Sequence, residues 1–193
     1  MCSKRGMALK AGDKVYTCNR GKGLMLAVIG KESLAEGAQI AAAHIDSPRL
    51  DLKPTPLYED SEMAYFKTHY YGGIRKYQWV TIPLQLRGVV AKKDGSVVDV
   101  CIGEAGEPQL VITDLLPHLG REQNQKKLPD AITAENLNVV LGSLPIADAD
   151  AENRIKLNIL GLLNEMYGIT ERDFVTAEIE IVPAFKARDI GLD

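Results

Sequence analysis

Residues 41–54 read AAAHIDSPRLDLKP. An apolar run ends in His44, Asp46 follows two positions later, and then comes Ser47-Pro48. In an extended strand, residues i and i+2 point to the same side. His44 and Asp46 would then face one site while Ile45 packs the other way. A neutral imidazole is a good zinc ligand through one nitrogen, and a nearby carboxylate can fix its tautomer and orientation. Read alone, the tripeptide fits better a structural histidine, hydrogen-bonded at a strand end, because a single ligand candidate is weak without its partners. A Ser–His–Asp hydrolytic triad is excluded. Ser47 would project opposite to Asp46, and the three residues are too close along one strand for the nucleophile to reach its base.

The segments that must position this pair have a clear order. Leu24 to Ile29 and Ala38 to Ala43 are short continuous apolar runs, the pattern of strands buried on both faces. The stretch KESLAEG separates them. Two buried strands, with a polar pair at the end of the second, match the way an α/β catalytic domain presents its site. Pro48 restricts Ser47 to extended geometry, so the strand is expected to end there. Beyond Pro54 the texture turns to β. Glu62 to Tyr71 reads as a strand closed by Gly72-Gly73, and Trp79 to Lys92 as another. Asp94-Gly95 then makes a hairpin to SVVDVCIG.

Gln109 to Thr113 and Asn138 to Leu144 are shorter strands, and Gly120 to Asp130 is an exposed loop. Ile155, Ile159, Leu162, Leu163 and Met166 fall on one face of a helix, with Asp150 as its N-cap and Gly168 as its C-terminal stop. Val175 to Pro183 alternates with period two, placing Ala177, Ile179 and Ile181 on one face and Glu178 and Glu180 on the other.

Composition narrows the classes. The 193 residues are 46% hydrophobic, enough for a core, so whole-chain disorder is excluded. The 23 Lys and Arg against 26 Asp and Glu leave a net charge of -3, without the basic excess of a nucleic-acid partner. No apolar run reaches membrane-spanning length. The N-terminal residues carry no signal-like apolar core. Cys2, Cys18 and Cys101 are far apart and odd in number. This argues against a disulfide framework or zinc ribbon and for a reducing, cytoplasmic setting.

Four blocks occur in order: AHIDSPRLDLKP, HYYGG with Trp79 just beyond, ITDLLPHL, and EIEIVPAFKARDIGLD. Together they resemble the zinc aminopeptidase family of aspartyl aminopeptidase and vacuolar aminopeptidase I, over nearly the whole chain. The resemblance implies that His44 is the first ligand of a two-zinc centre and that Asp46 is the carboxylate that orients it. Such a pair of metals clamps the attacking water and polarises the scissile carbonyl.

The resemblance also implies an α/β catalytic domain (residues 1–53), an inserted, mostly β dimerisation domain (54–177), and a return into the catalytic domain (178–193). His118 matches a histidine that reaches into the neighbouring subunit's active site and helps bind substrate. His69 takes no role from the family and reads as a surface or interface residue, and Tyr71-Gly72-Gly73 reads as structural. The family's bridging aspartate, paired glutamates, further acidic ligand and last histidine match no residue here, and Asp189 and Asp193 align upstream of them. The chain is therefore expected to be the truncated first part of a peptide-cleaving enzyme and to be inactive alone. The alternative is a self-associating assembly module built on the β-rich domain.

Overall fold

In the computed structural model, which describes residues 8–192, strands outnumber helices and every strand pairing is antiparallel. Cys2 and Asp193 lie outside the described residues. The chain divides into two units, the first ending at Ile45 and the second starting at Asp46. The first unit contains a hairpin of β1 (Lys14–Asn19) and β2 (Gly23–Val28). Its turn takes positive φ at Arg20 and Gly21 (54° and 71°), as tight hairpins require. The expected burial is absent: Leu24, Met25, Leu26 and Val28 are exposed. Ala38 to Ala43 form no strand, and residues 37–47 are irregular and exposed. A buried strand needs neighbours for its backbone N–H and C=O groups, and no strand among the described residues pairs with this segment.

The second unit is built on a six-stranded sheet. Its strands are β3 (Arg49–Asp60), β4 (Met63–Tyr71), β5 (Leu84–Ala91), β6 (Val97–Ile102), β7 (Val139–Gly142) and β8 (Ala177–Pro183). Their order is β6-β5-β8-β3-β4-β7. Leu86, Ile181 and Leu50 stand side by side across β5, β8 and β3 and are essentially fully buried. On the opposite face the same strands carry Arg87, Glu180 and Asp51, also side by side. One face therefore builds the core and the other is polar, the usual division in an antiparallel sheet.

Residues 53 and 54 lie inside β3, and 177 opens β8 at the sheet's centre. Pro54 and Pro56 are tolerated because the β3–β4 register shifts between Leu52 and Leu57, interrupting the ladder where proline cannot donate.

Among the described residues two α-helices accompany the sheet: the single-turn α1 (Leu128–Ala131), which overlaps the end of the segment expected to be loop, and α2 (Arg154–Tyr167). Helix α2 buries Ile155 and Leu163, with Ile159 and Leu160 partly covered. Leu162 and Met166, expected on the same face, are exposed. The N-cap is Asn153 in the left-handed region, not Asp150, and its side chain makes no cap bond. Glu59 of β3 supplies the cap instead, accepting from the N–H groups of Ile155 and Lys156 at 2.9 Å each. A carboxylate there meets both the unpaired amides and the positive end of the helix dipole. Gly168 ends the helix as expected, at φ 63°. Tyr167 then donates from Oη to the Cys101 carbonyl of edge strand β6 at 2.5 Å.

Two glycines should respond oppositely to alanine. A Cβ on Gly88 of β5 would lie 2.1 Å from the Glu178 carbonyl oxygen and 2.7 Å from Ile179 Cα, both rigid backbone. Gly161 in α2 has nothing within 4 Å of that position. Urea unfolding of Gly88→Ala should show a loss of about 1–3 kcal/mol or more from overpacking. Gly161→Ala should gain roughly 0.5–1 kcal/mol from the helix interior.

Candidate functional site

His44 is exposed and belongs to the first unit, whereas Asp46 opens the second. The segment that carries both is irregular, so the strand argument for their facing one side does not apply. What the structure builds instead is a set of contacts around Asp46. Arg49 and Tyr71 are directly opposite each other at the ends of β3 and β4. Tyr71 Oη donates to Asp46 Oδ2 at 2.5 Å, and Arg49 Nη1 lies 3.5 Å from Asp46 Oδ1. The Arg49 guanidinium sits 3.9 Å above the Tyr71 ring, a cation–π stack.

Arg49 is the centre of this cluster. Its Nε is 2.8 Å from both Asp51 Oδ1 on β3 and Glu180 Oε1 on β8. Partial burial opposes the guanidinium charge. The negative charges of Glu180, Asp51 and Asp46 outweigh that and hold its pKa above the ordinary value. The Tyr71 hydroxyl is pushed up chiefly by its hydrogen bond to Asp46 and by that carboxylate's charge, with Arg49 opposing.

The other candidates lie apart from this cluster. His69 is exposed on β4, stacked on Tyr70 at 5.4 Å. His118 is exposed in a turn closed by the Leu119 N–H donating to the Leu116 carbonyl at 2.8 Å. Leu115, Leu116 and Leu119 beside it are exposed too. Leu115 and Leu119 line an open cleft of about 670 Å³ shared with Tyr58, Tyr65 and Arg121. No hydrogen bond, ion pair or ring contact joins His118 to Asp46, Arg49 or Tyr71 among the described residues.

Nor do any three His, Cys, Asp or Glu side chains among the described residues group as a metal-binding set. His44 offers one good donor, but a zinc centre takes three or four protein ligands. The described residues do not by themselves fit such a centre. Sequence reasoning missed Arg49 and Tyr71 because their encounter depends on the β3–β4 register, which no local pattern specifies.

Comparison with known proteins extends this picture. Residues 2–193 match the family described as Aminopeptidase I zinc metalloprotease (M18). The chain belongs to this M18 family. A relative from Clostridium acetobutylicum, named probable M18 family aminopeptidase 1, is 56% identical over 190 residues, 98% of this chain and 41% of its own length. The crystal structure of aminopeptidase I from Clostridium acetobutylicum superposes with TM-score 0.86 at 53% identity, over 95% of this chain and 40% of that one. An M18 aminopeptidase from Thermotoga maritima gives TM-score 0.85 at 46% identity, over 94% and 40%. The chain thus spans about 40% of the length of its relatives from Clostridium acetobutylicum and Thermotoga maritima.

Replacing Arg49 should expose how far the cluster depends on it. Arg49→Ala leaves Asp46, Asp51 and Glu180 without their shared cation and should cost roughly 1–2 kcal/mol in urea unfolding, given partial solvent screening. Arg49→Lys should recover less than half, because a point charge cannot fork among three carboxylates and stack on Tyr71. A fully stable Arg49→Ala protein would contradict this.

Proposed function

We propose that this chain forms part of a zinc-dependent aminopeptidase that removes N-terminal residues from peptides. The observation that carries the reading is the family match over residues 2–193, alongside a 56%-identical relative named as an aminopeptidase. On this reading His44 is a zinc ligand of a two-metal centre. Its imidazole is exposed, so no covering side chain must be displaced before a metal binds. Asp46 is the carboxylate that orients it, the partner a metal-bound histidine usually requires. The other ligands lie outside the described residues, which hold no group of three. His118 contributes to substrate binding from a neighbouring subunit. Free Cys18 and Cys101 fit a cytoplasmic setting.

The test is hydrolysis of aminoacyl chromogenic substrates by the enzyme that carries this chain, with and without added zinc. His44→Ala should lower zinc-dependent turnover by about 100-fold or more, and Asp46→Asn by roughly 10–100-fold. The 193-residue chain alone should be inert. Zinc-dependent turnover that survives His44→Ala at the wild-type rate would contradict the assignment.

A further inference from the structure

The contacts around Asp46 give the β-sheet a task at the site. We infer that Tyr71, backed by Arg49, is a positioning residue that fixes the Asp46 carboxylate onto the end of β3 and β4. The inference rests on the aminopeptidase reading and deepens it, because it says what holds the aspartate of the His-x-Asp motif in place.

Two observations converge. First, the two carboxylate oxygens meet different groups: Oδ2 accepts from Tyr71 Oη, and Oδ1 faces Arg49 Nη1. One contact would leave the carboxylate free to rotate about its terminal torsion, whereas contacts on both oxygens fix its plane. Second, the clamp is itself held. Arg49 is stacked on the Tyr71 ring and bonded to Asp51 and Glu180, so strands β3, β4 and β8 all converge on it.

The chemistry of the clamp suits a positioning role. A carboxylate has about four lone-pair positions. One is used by the Tyr71 hydroxyl, and room remains to accept from a histidine N–H. Tyr71 is a neutral donor and removes no charge. Arg49 carries one positive charge among three carboxylates, so the cluster stays negative and Asp46 is oriented without being neutralised.

Tyr71→Phe tests this cleanly. It keeps the ring on which Arg49 stacks and removes only the donor oxygen. Two readouts are needed. In the 193-residue chain, the ¹³Cγ resonance of Asp46 should move on losing its hydrogen bond, while that of Glu59 Cδ at the helix cap stays. In the zinc-loaded enzyme that carries this chain, kcat should fall about ten- to a hundredfold with KM within about twofold, as misplacement of a supporting group predicts. A merely structural role would lower the unfolding midpoint and leave the Asp46 resonance and kcat unchanged; that result overturns the inference. The two readings fail separately. An unmoved Asp46 resonance sinks the clamp whatever the activity. A wild-type enzyme without zinc-dependent turnover sinks the aminopeptidase reading and, with it, the catalytic consequence drawn here.

Discussion

The second unit depends on the last strand entering the middle of its sheet. Strand β8 is the one described strand that pairs with both β3 and β5, and it completes the row of Leu50, Ile181 and Leu86 on which the core is built. Its partners are remote in sequence, so loop closure has to be overcome before the pairing contributes anything. Gly88 is what allows the approach, because β5 and β8 come so close there that no side-chain carbon fits. Burial of the isoleucines on one face of β8 then offsets the ordering of the long intervening chain.

The same register sets the polar face. Ile181 and Glu180 are neighbours along β8 and point to opposite sides. A slip of one residue would put the carboxylate in the core and an isoleucine against Arg49. Core packing and the Arg49 cluster are therefore two consequences of one alignment. The hydrophobic face enforces the register, and the polar face uses it to bring Glu180, Asp51 and Arg49 together beside Tyr71 and Asp46. This is how a segment with no regular structure of its own, residues 46–48, acquires a fixed carboxylate.

The sequence was most legible where structure is local. Alternation gave β8, apolar and β-branched content gave β5, the Gly72-Gly73 turn marked the end of β4, the Asp94-Gly95 pair gave the hairpin from β5 to β6, and Gly168 gave the end of α2. It was least legible where a partner is distant. The cap of α2 is Glu59, 96 and 97 residues before the two amides that donate to it, so no window around Asp150 could reveal it. Strand β3 passes through two prolines because a register shift accommodates them, which only the pairing shows. The apolar run Ala38 to Ala43 has the composition of a strand and no partner strand among the described residues. At the site, the family resemblance singled out His44, Asp46 and His118, and the family itself is established by the match. Composition and spacing could not supply Arg49 and Tyr71, whose meeting with Asp46 is a product of tertiary register.

The most direct test of this account is a proton–proton distance. In the wild-type 193-residue chain, nuclear Overhauser effects between the Tyr71 ring protons and the Asp46 Hβ protons report whether the carboxylate is held on the sheet. The account predicts strong cross-peaks, with one dominant Asp46 side-chain rotamer. Asp46 resonances at random-coil positions, with no cross-peak to Tyr71, would contradict it.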